Sequence, residues 1–529
     1  MKHLNHYLSN FAFLFGLTFF VQAQDNEIVN WYNSSRPGME TEAGYKLLKG
    51  KKSTTVVVAV IDSGVDIEHE DLKGKIWVNT DEKPGNNIDD DKNGYVDDYH
   101  GWNFLGNSKG ENLNEACLEK TRILKALTKK FEGIDTANLS AQEKEEYALF
   151  EKVSIEVNRE REMYASYLGQ IDMINMMIDQ IPAMVGNAIG KTNYTLKDLQ
   201  KWKPKDEQMQ QMKQFAISIS TGELSKEVME EQKQTIEQMV NFNLNVEYDD
   251  RALIGDDPSN INDRNYGNSD VEGPDALHGT HVSGIIAALR GNGLGGDGVA
   301  ENVLIMPVRA VPNGDEHDKD VALAIRYAVD NGAQIINMSF GKGYSPMAKD
   351  VFEAFRYADS KGVLLVHAAG NDNADVDSSE NYPTSMYKFQ NQPLDHFLTI
   401  GASTRFPKEK LAADFSNYGK TKVDVFAPGY EIYNTVPQSA YKKLQGTSMA
   451  APMVTGVAAL LKSYFPTLSM KEIKEVILKS AKSYKGTKQI KPGSEDLVDF
   501  STLSVTGSVV NVKNAVNMCM ELEKSRSTR

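Results

Sequence analysis

Cysteine is nearly missing from this chain. Among 529 residues there are only Cys117 and Cys519, far apart and in unrelated surroundings. That excludes a disulfide framework as the source of stability and leaves either one long-range bridge or two separate buried thiols. Positive charge is also short: 58 Lys and Arg stand against 73 Asp and Glu, a net charge of −15. Such a balance argues against nucleic acid or an anionic membrane as partner. Long apolar runs are scarce as well, and Phe11–Val21 is too short to span a bilayer. With Lys2 before it and Val21-Gln22-Ala23 after it, that run reads instead as an export leader over residues 1–23. No cysteine follows Ala23 directly, so lipid attachment there has no support. The mature chain is expected to be periplasmic or secreted, without a membrane anchor.

Chemistry concentrates in Leu444–Gly456, which reads Leu-Gln-Gly-Thr-Ser-Met-Ala-Ala-Pro-Met-Val-Thr-Gly. A turn of small residues here delivers one hydroxyl, Ser448, to the mouth of a helix. Pro452 is expected in the first helical turn, where its missing N–H costs nothing. Ser448 then lies at or just before the helix start, among free N–H groups that favour developing negative charge. It is either an N-cap or a nucleophile, and the second role needs a base and an orienting carboxylate elsewhere. Two further stretches offer them. Thr55–Asp66 (Thr-Val-Val-Val-Ala-Val-Ile-Asp-Ser-Gly-Val-Asp) is the apolar run of a strand buried on both faces, ending in Asp62 and a turn. Asp275–Ala288 puts His278 at the head of a second small-residue helix.

The stretches Ala59–Asp66, His278–Gly284 and Gly446–Pro452 resemble the three signature motifs of the subtilisin-like serine proteases (subtilases), in that family's order of Asp, His and Ser. Val366-His-Ala-Ala-Gly-Asn-Asp372 resembles the oxyanion stretch, and Ile335-Ile-Asn-Met-Ser-Phe-Gly341 resembles the strand that pairs with the substrate backbone. The matches cover about residues 54–104 and 256–483. The resemblance implies a three-layer α/β domain with a mostly parallel sheet, and an endopeptidase acting on proteins or peptides. It assigns Asp62 to orient His278, His278 as base, Ser448 as nucleophile and Asn371 as oxyanion donor. Ser339, Phe340 and Gly341 would hold the substrate. By the same resemblance His281 is structural, and the zincin pattern would need Glu after the first His and a spacing of four. An α/β-hydrolase esterase is excluded, because Gly446-Thr-Ser-Met-Ala450 lacks the final Gly of G-x-S-x-G and the chain order differs. The alternative is a catalytically silent subtilase scaffold whose helical insertion binds a partner; the presence of all four catalytic side chains counts against it.

Asn87–Asp98 is rich in alternating oxygen ligands. Asp89, Asp91, Asn93 and Gly94 fit the first six positions of an EF-hand-type loop, Tyr95 offers its carbonyl and Asp97 falls at the ninth position. His100 stands at the twelfth in place of Glu, so the full pattern fails. The stretch is either a structural calcium loop with ligands Asp89, Asp91, Asn93, Tyr95 and Asp97, or a solvated acidic turn.

Far more residues separate Asp62 from His278 than in ordinary subtilases. The surplus, residues 106–254, has helical character. Phe150, Val153, Val157, Glu160, Tyr164, Tyr167, Ile171, Ile174, Ile178 and Ile181 keep a 3-4 spacing. Further helices are expected over Asp206–Ile219 and Ser225–Leu244. One-sided helices must bury their apolar faces, so a helical bundle or hairpin inserted into the catalytic domain follows. It is either a module for stability or self-association, or a gate or adaptor that meets substrate or a protein partner. The expected organisation is a leader at 1–23, a short segment at 24–53, and a catalytic domain at 54–105 and 255–500. The insertion takes 106–254 and a tail takes 501–529. The 24–53 segment has no room for the sizeable prosegment of many secreted subtilases, so it is either trimmed or packed on the domain.

Overall fold

The computed structural model describes residues 29–527; the leader expected at 1–23 lies outside them. The chain forms two compact units. Among the described residues one takes Thr121–Tyr248; the other takes 29–120 and 249–527.

The larger unit is built on a nine-stranded sheet. In spatial order its strands are Lys482–Ser483, Ser508–Val509, Val425–Pro428, Phe397–Ser403, Leu364–Ala368, Ile335–Met338, Val56–Asp62, Val303–Arg309 and Trp102–Asn103. Every neighbouring pair is parallel except the first. Val56–Asp62 lies between Val303–Arg309 and Ile335–Met338, which explains its unbroken apolar sequence. Val56, Val58 and Val60 face one core, with apolar residues of helices Leu277–Ala287, Thr447–Tyr464 and Met470–Ser480. Ala59 and Ile61 face a second core, with residues of helices Asp318–Asp330 and Ala348–Ser360. Helices on both faces of a parallel sheet make three layers. Each fully buried Val or Ile contributes about 1.5–3 kcal/mol.

Two stretches of little apparent content join this core. Trp31, Tyr32, Met39 and Leu48 are buried in it. The Tyr32 hydroxyl donates to Asp297 O at 2.9 Å and accepts from Asn434 Nδ2 at 3.1 Å. The tail supplies the Ser508–Val509 strand and a helix, Val512–Ser527, that packs on helix Thr41–Leu47. Cys117 and Cys519 are both buried thiols, and no disulfide joins them.

The smaller unit is helical. Its long helix, Ala141–Ile189, starts in a capping box of Ser140 and Glu143 and ends at Gly190 with φ 74°. Val153, Val157, Ile171, Ile174 and Ile181 are buried along the expected seam, and the last three join Phe215, Met229 and Ile236 in a common core. Phe215 comes from helix Glu207–Thr221, and Met229 and Ile236 from Lys226–Gln238. The compact helical unit is narrower than the surplus 106–254. At one end Asn107 donates to Glu111 Oε2 and to Leu253 O; at the other Arg251 is paired with Asp256 and Asp320. These bonds keep both flanks in the α/β unit.

Burial of the N-terminal stretch makes it part of the fold. Tyr32→Ala is expected to destabilise the protein by about 3–5 kcal/mol, the usual loss for a large buried aromatic. Denaturant unfolding measures it, and a loss below about 1 kcal/mol would mean a detachable segment.

Candidate active site

The residues singled out from the sequence lie at the carboxyl ends of strands or at helix starts, where ligands bind in open α/β sheets. Asp62 ends Val56–Asp62 and is buried. Its Oδ1 accepts from Ser63 N at 2.8 Å and lies 2.7 Å from His278 Nδ1. An ionised carboxylate only accepts, so Nδ1 carries the proton and Nε2 is left as the basic atom. Burial works to lower the His278 pKa, but the charge and hydrogen bond of Asp62 outweigh it, and the net shift is upward from 6.5. The close approach depends on Gly279. A Cβ there would stand 2.1 Å from Gly64 O and 3.1 Å from Asp62 Cβ.

Ser448 is the second residue of helix Thr447–Tyr464, whose N-cap is Gly446; it is therefore not the cap. Its Oγ donates to Ser339 O at 3.1 Å. Pro452 departs from expectation: it is the sixth helical residue and lies beyond the first turn. A proline there cannot donate to the carbonyl four residues back, which is Ser448 O. The Ser339 hydroxyl donates to that carbonyl instead, at 2.9 Å. Ser339 Oγ accepts from Asn337 Nδ2, and Asn337 Oδ1 accepts from Thr455 Oγ1, each at 2.9 Å. A buried polar chain thus joins the helix to strand Ile335–Met338 at the position of the serine. The helix also packs on Leu277–Ala287, which carries His278.

Asn371 follows strand Leu364–Ala368. Its Oδ1 accepts from Thr447 N at 2.8 Å and from Thr447 Oγ1 at 3.0 Å. A backbone N–H can only donate, so the amide orientation is set and Nδ2 turns the other way. A Cβ at Gly446 would lie 3.4 Å from Asn371 Nδ2 and 3.5 Å from Ser448 N. Both donors therefore border the same space, kept clear by glycine with φ 153°. Phe340 is buried in the core, and its carbonyl lies 2.9 Å from His367 Nε2. His281 Nε2 lies 3.0 Å from Ile432 O, and burial drops its pKa to about 3; His367 is dropped to about 4 in the same way. Both are neutral struts. Thr447, Asn337 and Thr455 escaped the sequence reading, since a long-range polar contact leaves no local period.

The acidic loop converges differently from its spacing. Asp89 accepts from Asn93 N and Gly94 N at 3.1 and 2.9 Å, and Asp97 from Asn86 N and Asn87 N at 3.1 and 2.8 Å. Those carboxylates serve the loop's own backbone. The Tyr95 ring packs on Trp102 and Tyr327. Of the expected ligands Asp91 joins a cluster, with Glu82 and Asp98, whose oxygens lie within 4.8 Å of one another. Asn93 Nδ2 donates to Asp91 and Asp98, each at 3.0 Å. Burial pushes the Asp98 carboxyl up to about 6. Glu82 is 4% exposed and its buried Oε2 has no partner among the described residues. An oxygen-only set with an orphaned carboxylate oxygen fits a hard cation.

Known proteins resemble part of this chain. It is 39% identical over 211 residues to a thermophilic serine proteinase of Bacillus sp. (strain AK1), covering 40% of this chain and 48% of that one. It is 36% identical over 226 residues to a cell wall-associated protease of Bacillus subtilis (strain 168), covering 42% and 23%. Against subtilisin DY of Bacillus licheniformis the identity is 35% over 207 residues, covering 39% and 70%. The chain thus spans about half the length of the first relative and less of the second. A sequence profile of the subtilase family matches residues 53–501, most of the chain, and the protein belongs to that family.

Proposed function

We propose that this protein is an exported serine endopeptidase that hydrolyses peptide bonds through Asp62, His278 and Ser448. The observation that carries the reading is the 2.7 Å contact between Asp62 Oδ1 and His278 Nδ1, with His278 on a helix that packs against the one whose second residue is Ser448. Ser448 Oγ attacks the substrate carbonyl carbon while its proton passes to His278 Nε2. Negative charge develops on the carbonyl oxygen and is met by Asn371 Nδ2 and Ser448 N. Collapse breaks the C–N bond, and His278 returns the proton to the leaving amine. Water then repeats the sequence on the acyl-enzyme. Asp62 holds the tautomer and offsets the imidazolium charge. Ser339, Phe340 and Gly341 serve an extended substrate through main-chain atoms; the buried Phe340 ring takes no part. Export is supported by the composition of residues 1–23 and by a relative named as a cell wall-associated protease. Among the described residues no helix is long and apolar enough to cross a membrane.

We propose further that Glu82, Asp91 and Asp98 hold a structural calcium ion, with Asn93 beside them. When bound, the ion would neutralise three neighbouring carboxylates, two of them buried, that otherwise repel one another.

Ser448→Ala is expected to lower kcat by about 10⁶-fold, the order found in subtilisin, with an unchanged circular dichroism spectrum. Cleavage retained in that variant would contradict the assignment. Because only neutral His278 accepts the proton, kcat/KM rises with pH through its raised pKa, so the acid limb should have its midpoint above pH 6.5. Asp62→Asn should shift that midpoint down and cost about 10⁴-fold in kcat; an unmoved limb would contradict the pairing. Excess chelator should lower Tm, and Glu82→Gln should remove that sensitivity; a saturating ion at 100 times its Kd stabilises by about 2.7 kcal/mol. An identical melting curve with and without chelator would remove the calcium proposal.

A further inference from the structure

One residue past Gly341, Lys342 begins a buried network of charges that the proposed chemistry does not use. Its side chain is nearly sealed from solvent, and its ammonium lies 2.7 Å from Glu119 Oε2 and 2.8 Å from Asp318 Oδ1. It also donates to Glu316 O at 2.6 Å. The Lys342 backbone pairs with Tyr382 in both directions, at 2.9 and 2.8 Å. Asp318 is fixed in turn by Ser345 Oγ and Met347 N, at 3.0 and 2.8 Å. Burial pushes the Glu316 carboxyl up, and Lys342 meets that residue at its backbone carbonyl, so the carboxylates beside the ammonium are Glu119 and Asp318. The lysine cannot shift without drawing Phe340 and Gly341 with it.

Glu119 sits within the α/β unit as the first residue of helix Glu119–Phe131, which carries the chain into the helical unit. The approach to it is laced to the segment that precedes Asp318. Asn313 N donates to Asn114 O at 2.8 Å, Ala116 N to Asn313 O at 3.0 Å, and Glu119 N to Asp315 Oδ2 at 2.7 Å. The returning chain is tied to the same region. Asp250 Oδ2 accepts from Cys117 N at 3.0 Å and lies 3.3 Å from His317 Nε2. Arg251 forks onto Asp256 and Asp320, 2.7 Å from each. Within the α/β unit, the stretch before Thr121 and the stretch after Tyr248 are therefore both bonded to residues 313–320, which also hold Lys342.

A buried ion pair is a poor way to fill space, since apolar side chains of equal volume often stabilise more. What it adds is a defined geometry that fails when either partner is lost. We propose that Glu119 is a positioning residue for peptide substrates. Through Lys342 it holds the Ser339–Gly341 edge where an extended peptide pairs with it, so this buried ion pair sets the affinity for long substrates. This rests on the reading of Ser339–Gly341 as the substrate edge.

The test uses the full-length enzyme, a hexapeptide substrate and a single-residue acyl ester that does not reach along the edge. Glu119→Gln keeps the shape and removes the charge. It should raise KM for the hexapeptide by about tenfold to a hundredfold, the scale of an ångström-sized misplacement. Its kcat and the ester kcat/KM should stay within about twofold. Glu119→Asp should recover part of the loss. Lys342→Met should raise KM at least as much, and the double variant no further than Lys342→Met, because Glu119 acts through Lys342. Melting curves identify any variant that has not folded. Equal losses on peptide and ester in a folded Glu119→Gln, or an unchanged hexapeptide KM, would overturn the proposal. Gly341→Pro separates the two readings by removing an edge N–H. If it leaves hexapeptide KM unchanged, the substrate-edge reading fails and this proposal with it. If it raises KM while Glu119→Gln does not, the coupling alone is refuted.

Discussion

The account depends on how closely the helix bearing His278 meets the end of the Val56–Asp62 strand. Two backbones cannot come that near if either carries a side chain at the crossing. Gly279 meets this constraint, and a Cβ there would sit 2.1 Å from Gly64 O. Once the crossing is made, a buried carboxylate and an imidazole face each other at 2.7 Å. The carboxylate is buried, and its charge and hydrogen bond raise the proton affinity of the ring beyond what burial takes away. An imidazole held in one tautomer and made more basic is what proton abstraction from an alcohol requires.

A second constraint comes from Pro452. A proline inside a helix leaves one carbonyl without its donor, at a cost of about 3 kcal/mol when nothing replaces it. Here the orphan is Ser448 O, and Ser339 fills the gap with its hydroxyl. The repair continues through Asn337 to Thr455. The defect in the helix thus becomes a tether between the serine and the segment that resembles the substrate strand. A helix without the proline would satisfy Ser448 O internally and leave Ser339 free to turn.

Much of the sheet was legible because a parallel strand covered on both faces must be apolar throughout, and Val56–Ile61 is. The long helix was legible through its 3-4 seam, though the reading stopped at Ile181 while the helix runs on to Ile189. Pro182 argues for a break there, but burial of Ile181 and Val185 on the same face outweighs it. The elements bearing Asp62, His278 and Ser448 were readable from turn chemistry and small-residue helices. The depth of Pro452 was not, since its carbonyl is rescued by a residue 109 positions away. The acidic loop needed the fold for a related reason. Spacing lists oxygens, but Asp89 and Asp97 turn to nearby N–H groups, while Glu82 arrives from outside the repeat. The roles of Trp31, Tyr32 and the Val512–Ser527 helix were equally hidden, because each is defined by what it meets across the chain.

The proposed catalytic residues Asp62 and Asn371 and the proposed substrate edge at Ser339 all lie at or just past carboxyl ends of sheet strands, and Ser448, bonded to Ser339, would be their common element. The most direct measurement is covalent: reaction with a fluorophosphonate, followed by peptide mass mapping. The account predicts one adduct per chain, on Ser448, and none in His278→Ala. Absence of any adduct on the folded wild-type protein, or an adduct on Ser448 that forms equally fast without His278, would contradict it.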